Sequence, residues 1–145
     1  MLISGLIPVG VHAAETALDQ YVAKPDSHYA VRHYHTQERA AYAIYFLEMT
    51  SQQWRSASEV DRPVWTHEVA LVIPRFGLDS TDTAILVIGG GSNGGELMTE
   101  INDAVGAAAI ATGAVFALVN QVPNQPLYFT DDGGRGRKED EILAY

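Results

Sequence analysis

Residues 84–96 constrain the fold of this 145-residue chain most, because they join a fully apolar run to a cluster of glycines. The run at residues 83–88 has no charged side chain and is rich in β-branched residues, which is typical of a strand buried on both faces. Five glycines follow between positions 89 and 95, so backbone N–H groups can point at a ligand. The pattern predicts a strand, a glycine turn and then a helix, a junction where α/β enzymes place their chemistry.

Composition and charge limit the function classes. With 47% hydrophobic residues, the chain is long enough for one globular domain with a real core. It carries 18 acidic and 9 basic residues, a net charge of −9, and has no basic stripe, so nucleic acid is not an expected partner. The absence of cysteine excludes disulfides, thiolate catalysis and cysteine-based zinc sites, but leaves the compartment open.

The first fourteen residues, MLISGLIPVGVHAA, carry no charge and contain a small-x-small pattern of the kind that signal peptidases cut. We interpret residues 1–14 as a truncated signal peptide and expect an exported protein, periplasmic or secreted. Because the positively charged start of a signal peptide is missing, a core strand and a chance start are alternatives. The run is too short to span a bilayer, so no membrane span is expected.

The rest of the chain predicts antiparallel strands that lead into a parallel βαβ unit. The predicted strands cover residues 29–35, 41–50, 65–73, 83–88 and 114–119, and the predicted helices cover residues 15–23 and 97–112. A polar loop is expected at residues 51–63, and Gly113 is placed to cap the second helix. Since residues 114–119 are apolar on both faces, we expect this strand to be an exposed edge that promotes self-association.

A first template for the glycine turn is dinucleotide binding. Residues 89–94 satisfy the pattern G-x-G-x-x-G after a predicted strand. An acidic residue should end the next strand and hold the ribose, but Asn120 stands there. Glu96 and Glu100 also place negative charge where a pyrophosphate would sit. The match to this template is therefore weak.

A second template is a nucleophile elbow, because residues 90–94 also match G-x-S-x-G around Ser92. An α/β-hydrolase needs an acidic residue and then a histidine after that serine. Every histidine of the chain lies before it, at positions 12, 28, 33, 35 and 67. A triad in this order cannot be completed around Ser92 within this chain, and a turn serine that caps the helix is the simpler interpretation.

The template that fits best is an oxyanion loop, in which backbone N–H groups donate to a developing negative oxygen. The candidate donors are Gly90, Gly91, Ser92 and Asn93. A helix N-terminus directly after the turn would aid the same task. The loop after the next strand should flank the cleft with Asn124 and Gln125, facing a small-molecule or peptide substrate. A close-packed turn that binds no ligand is the alternative.

Two other patterns carry less weight. His33 and His35 share a strand face with His28 nearby, but no carboxylate has ligand spacing with them, so half-exposed surface histidines are the simpler interpretation. No metal and no cofactor are expected. The basic residues at 135–138 are surrounded by acidic ones, which favours a solvated turn over a phosphate site.

Three stretches together carry a resemblance to a known family. They are TSQQWRSASEVDRPVWTHEVALVIP at residues 50–74, TAILVIGGGSNGG at residues 83–95 and QVPNQPL at residues 121–127. In this order they resemble the N-terminal part of the PhoPQ-activated pathogenicity-related family, and the likeness runs from about residue 15 to residue 145. The resemblance implies an exported protein with an α/β-hydrolase-like fold, in which the glycine turn is the oxyanion loop that follows the third strand.

The expected fold class is therefore α/β: the N-terminal part of an α/β-hydrolase-like fold, with antiparallel first strands leading into a βαβ parallel sheet. Residues 15–145 would form an incomplete domain that lacks the elbow serine, the acid and the histidine. We expect the segment to supply the oxyanion-type loop and to have no turnover alone. The alternative is a secreted signalling or interaction protein that has kept the fold without the chemistry.

Overall fold

The computed structural model describes residues 14–78 and 83–144. Except for Ala14, the predicted signal peptide lies outside the described residues. Each strand and helix expected from the sequence has a counterpart, with shifted boundaries. The elements in chain order are α1 (Ala17–Ala23), β1 (Ala30–Glu38), β2 (Tyr42–Gln53), β3 (Val64–Pro74), β4 (Ala84–Ile88), α2 (Asp103–Thr112), β5 (Val115–Val119), β6 (Leu127–Tyr128), β7 (Gly136–Arg137) and α3 (Asp140–Leu143).

Strands β1 to β5 form a single sheet in the order β1-β2-β3-β5-β4. The β1–β2, β2–β3 and β3–β5 pairs are antiparallel, and β4 pairs with β5 in parallel. Helix α2 connects the two parallel strands, so the predicted strand-helix-strand unit is confirmed. The fold is therefore mixed α/β, with a mostly antiparallel sheet and a few helices.

Helix α2 packs closely against one face of the sheet. Gly106 makes the approach possible, since a Cβ at this position would collide with the ring of Tyr42 on β2. The helix ends as predicted at Gly113, whose φ of 59° is left-handed. The core beneath α2 is built from buried side chains of β2, β3, β5 and the helix itself. They are Ile44, Phe46, Ala70, Val72, Ala109 and Phe116.

The expected start of the second helix was wrong. Helix α2 begins at Asp103, with Asn102 as its N-cap, and residues 96–102 are not helical. Residues 96–102 stay non-helical because two side chains of the sheet form hydrogen bonds with the backbone of Met98. Its N–H donates to the Glu68 carboxylate at 3.0 Å, and its carbonyl accepts the Tyr34 hydroxyl at 2.6 Å. The glycine turn therefore does not open a helix, and no helix dipole supports it.

The predicted exposed edge was also assigned to the wrong strand. Strand β5 lies inside the sheet, paired on one side with β3 and on the other with β4. The edge is β4, which contains no charged residue, and all of its side chains are exposed. Leu86 and Ile88 keep 58% and 63% of their surface accessible. An apolar five-residue strand with one unpaired side is therefore presented to solvent.

A second, smaller core lies beside the loops where β2 ends and β3 begins. It contains Val60, Trp65, Leu127, Phe129 and Ile142, with Trp54 packed against it. The ring centroids of Trp54 and Trp65 are 5.3 Å apart. Strand β2 continues to Gln53 across a bulge at Ser51, so the predicted polar loop begins later than expected. This second core anchors the segment that follows β5 and so positions one side of the candidate site.

Candidate active-site cleft at the glycine loop

The glycine loop, residues 89–95, leaves the sheet where the parallel strands β4 and β5 end side by side. Backbone hydrogen bonds join it to the loop that follows β5. The Gly89 N–H donates to the Val119 carbonyl at 2.8 Å, and the Gln121 N–H donates to the Gly90 carbonyl at 3.0 Å. The Val122 N–H also donates to the Gly89 carbonyl at 3.2 Å. The sequence predicted that these two loops lie at the same edge of the sheet, and in the structure they are in contact.

Two glycines are required by this contact. A Cβ at Gly89 would lie 2.5 Å from the side-chain oxygen of Asn120. Gly91 has a φ of 145°, and a Cβ there would lie 3.2 Å from Cγ of Gln121. Asn120, which replaces the acidic residue of a dinucleotide site, therefore fills the space beside the loop.

The four candidate oxyanion donors differ in what their N–H groups contact. The Asn93 N–H donates to the Gln125 carbonyl at 2.5 Å, and its side-chain amide donates to the Asn124 carbonyl at 2.9 Å. Asn93 therefore ties the two loops together and has no N–H left for a ligand. Within the described part of the chain, the N–H groups of Gly90, Gly91 and Ser92 contact no acceptor, and these residues are exposed.

Asn124 and Gln125 are buried, at 2% and 6% exposure, and their side chains serve the fold. The Asn124 amide exchanges hydrogen bonds with both backbone groups of Thr66 on β3. The Gln125 side-chain oxygen accepts the Glu139 N–H at 2.8 Å, which attaches the start of α3. These two side chains therefore attach the loop after β5 to β3 and to the start of α3. Among the described residues that line the neighbouring cavity, neither of them is present.

A cavity of about 160 Å³ lies beside the glycine loop. It is polar: Glu48 and Glu68 stand directly opposite each other on β2 and β3, and Arg32 contacts Glu48 at 3.3 Å. Ordinary ligand pockets measure roughly 300–1,000 Å³, so this cavity is small. Its lining residues are Glu48, Arg62, Thr66, His67, Glu68, Asn93, Gly94, Gly95, Leu97 and Gln121.

His67 belongs to this region, although the sequence indicated only that it lies within the predicted strand at residues 65–73. It is buried, at 5% exposure, and its Nδ1 lies 3.2 Å from the Asn120 carbonyl and 3.1 Å from the Gln121 carbonyl. Burial lowers the pKa of His67 below its ordinary value, and the hydrogen bonds to the two carbonyls partly offset this. The imidazole thus stays neutral near pH 7 and holds the segment on which the glycine loop rests.

The histidines and arginines of the weaker patterns have local partners. His28 contacts Asp26 at 3.0 Å, His33 contacts the Thr36 hydroxyl at 2.7 Å, and His35 stacks on Phe46. In the part of the chain that the structure describes, no group of three or more metal-ligating side chains could hold an ion. In the basic turn, the guanidinium groups pair with acidic neighbours, Arg135 with Glu141 and Arg137 with Asp132.

Comparison with known proteins gives the class of this chain. Residues 18–145 match the PhoPQ-activated pathogenicity-related protein family. The chain therefore belongs to that family, as the resemblance of its three motifs indicated. It is also similar to autocrine proliferation repressor protein A of Dictyostelium discoideum, with 34% identity over 145 residues. That match covers 100% of this chain and 29% of the relative, so the chain spans less than a third of the relative's length.

Two further comparisons describe the chain. No solved structure matches it. Across residues 14–78 and 83–144, no helix has the length and apolar character needed to cross a membrane.

Proposed function

We propose that this chain is the N-terminal segment of an exported, hydrolase-like protein, and that residues 90–92 supply the oxyanion-type loop of its active site. One observation carries the proposal. The N–H groups of Gly90, Gly91 and Ser92 contact no acceptor in the described part of the chain, while the residues on either side are fixed by hydrogen bonds. The substrate would be a small molecule or peptide whose carbonyl oxygen becomes negative during acyl transfer.

The fixed surroundings of the loop support this role. Oxyanion donors are effective when they are oriented before the substrate arrives, because no reorganisation is then needed during reaction. Hydrogen bonds to Val119 and Gln121 hold the start of the loop, and the contact between Asn93 and Gln125 holds its far side. A glycine-rich turn after a parallel strand is also where lipases and esterases place such donors.

The unpaired edge of β4 supports the proposal that this chain is one segment of a longer hydrolase-like protein. A nucleophile must lie within roughly 3 Å of the carbon whose oxygen the loop binds, and a strand next to β4 is the best placed to carry it. Strand β5 already occupies one side of β4. The elbow strand of a complete protein would therefore add to the free side. The relative, of which this chain covers 29%, is long enough to contain one.

The test begins with the coding sequence in frame beyond the codon of Tyr145. The proposal expects a G-x-S-type elbow followed by an aspartate and a histidine. The complete product should then react with a fluorophosphonate serine probe. Gly91→Ala keeps the backbone N–H, but a side chain at a φ of 145° forces the loop backbone to move and turns a donor away from the substrate. It should therefore slow labelling of the elbow serine about 100-fold or more, the effect of losing one oxyanion donor. Gly133→Ala is the matched control, because Gly133 also has a positive φ but has open space around it.

Two results would contradict the proposal. The first is a product whose elbow serine is labelled at the same rate in Gly91→Ala and in the unchanged protein. The second is steady ester hydrolysis by the pure 145-residue chain that disappears in Ser92→Ala, since Ser92 would then be a nucleophile and not a donor.

A second candidate function is a secreted signalling or interaction protein that has kept a hydrolase-like fold without the chemistry. The observation that favours it is the name of the similar amoebal protein, an autocrine proliferation repressor. Fluorophosphonate labelling of the complete product separates the two. Labelling at an elbow serine supports the enzyme, and a folded product that carries no label at such a serine supports the signalling protein.

A further inference from the structure

Ser51 and His67 form a nucleophile–base arrangement that is separate from the glycine loop. The Ser51 hydroxyl oxygen lies 2.9 Å from Nε2 of His67. On its other side, Nδ1 of His67 lies within hydrogen-bond distance of the Asn120 and Gln121 carbonyls. A nucleophile bonded to a base that a third group orients is the geometry that activates serine in enzymes.

The two carbonyls fix the tautomer of the imidazole. A carbonyl only accepts hydrogen bonds, so Nδ1 must carry the hydrogen and donate it. In the neutral ring, Nε2 is then left with a lone pair and accepts the Ser51 hydroxyl hydrogen. This is the proton arrangement that a general base needs before a serine attacks.

The local backbone directs Ser51 out of the regular pleat. Strand β2 pairs with β3 through Thr50 and Gln52, and Ser51 between them is the extra residue of a bulge. Bulges re-aim side chains and occur often beside active sites. The alternating sequence pattern gives no sign of this extra residue, which explains why Ser51 was assigned to a polar loop.

Ser51 borders a groove of about 300 Å³ between α1 and the end of β2. Lys24 and Asp26 line the same groove. The Asp26 carboxylate accepts the N–H groups of His28 at 2.8 Å and Gln53 at 2.7 Å, which anchors that wall. Lys24 adds a cation, the kind of group that stabilises a negative oxygen developing beside the serine.

We propose that Ser51, with His67 as its general base, is a reactive nucleophile toward small activated acyl or phosphonyl compounds. Oγ of Ser51 forms a bond to the carbonyl carbon or the phosphorus, and its proton passes to Nε2 of His67. The leaving group departs with the electrons of its bond and receives that proton. The products are an ester of Ser51, a neutral His67 and the protonated leaving group. This inference does not depend on the role of the glycine loop.

The experiment uses an alkyl fluorophosphonate on the purified chain, with intact mass and peptide mapping as readouts. One phosphonyl adduct is expected, on the peptide that contains Ser51, and Ser51→Ala should abolish it. His67→Gln should slow the labelling about 100-fold or more, which is the usual contribution of a general base. Ser58→Ala, at an exposed serine of the loop after β2, is the matched control and should label at the unchanged rate.

Circular dichroism shows whether His67→Gln folds. If it does not fold, the rate of Ser51 labelling is compared between the native chain and the urea-unfolded chain. Ser51 should lose its reactivity when the pair is unfolded. The proposal is overturned if Ser51 of the native chain is not labelled, or if folded His67→Gln labels as fast as the unchanged chain. Equal labelling of native and unfolded chains also overturns it. Because the readout is a Ser51 adduct, the result is independent of any labelling at an elbow serine of a longer product.

Discussion

The exposed edge of β4 leads to a prediction about the isolated chain, which we expect to self-associate through this strand. Strand β4 presents unpaired backbone groups and four large apolar side chains, each at least 40% exposed. Two such edges can pair in an antiparallel manner around a two-fold axis, which would join two sheets. The change that tests this is Leu86→Lys, because Leu86 is 58% exposed and lies in the middle of the strand.

The size of the effect follows from the exposure of Leu86. Full burial of a leucine contributes roughly 1.5–3 kcal/mol, and more than half of this side chain remains to be buried, so each copy loses about 1 kcal/mol or more. A symmetric pair contains the change twice, and about 2 kcal/mol raises the dissociation constant about 30-fold. Lysine also lowers the net charge of −9 in magnitude, so the change does not increase the overall charge repulsion between copies.

Sedimentation velocity over a wide range of concentration measures this association. The unchanged chain should shift toward larger species as concentration rises, and Leu86→Lys should need about 30-fold higher concentration for the same shift. Leu18→Lys is the control, since Leu18 is 69% exposed but lies on α1, away from the edge. The reasoning is refuted if the unchanged chain is monomeric throughout, or if both lysine variants lose association equally.

Three further predictions concern stability, each measured by urea unfolding. Phe46→Ala should lower the free energy of unfolding by about 3–5 kcal/mol because Phe46 is fully buried, whereas Phe76→Ala, at a 74% exposed side chain, should change it little; equal effects would contradict the core described for α2. Asn93→Ala should cost about 1 kcal/mol through lost hydrogen bonds between the loops, and an unchanged midpoint would show that they are not coupled. The pKa of His67 is lowered in the folded chain, so the unfolded chain binds its proton first: this contribution is present above about pH 6.5 and is lost as the pH falls below it. His67→Gln should therefore show a shallower loss of stability on the acid side, and an identical slope would refute the assignment.

The sequence predicted the individual strands because their signals are local. Alternation in β1 to β3, and the continuous apolar runs in β4 and β5, follow from which faces are buried. The order of the strands is not a local property. Residues 84–88 and 115–119 are equally apolar, so the pattern cannot show which of them lies inside the sheet and which forms the edge. That is why self-association was expected at the wrong strand.

The start of α2 could not be predicted for a different reason. Residues 97–112 have helical spacing, but tertiary hydrogen bonds from Tyr34 and Glu68 to the backbone of Met98 compete with the first turns. Both partners lie more than 25 residues away in sequence. Propensity is a weak prior when side chains of a neighbouring sheet satisfy the backbone instead.

The candidate site was partly predictable. The glycines at positions 89–95 and the loop after β5 were predicted because the change from apolar residues to glycine and proline signals the end of a strand and a turn. The commitment of the Asn93 N–H to Gln125, and the pairing of Ser51 with His67, depend on register and on a single bulge residue. A shift of one residue in a strand leaves its composition unchanged, so no sequence signal marked them.

The proposed oxyanion loop directly follows β4, the strand with the unpaired edge, and this couples the proposed active site to the pairing of that edge. A strand that pairs with β4 in a complete protein would bury the apolar edge and would also bring its following turn beside the free N–H groups of residues 90–92. The signalling alternative needs only the first of these consequences. In a complete product, slow amide exchange at those N–H groups of residues 84–88 that do not pair with β5 therefore shows that the edge is covered in either case. Labelling at an elbow serine then decides whether the covering strand also carries a nucleophile.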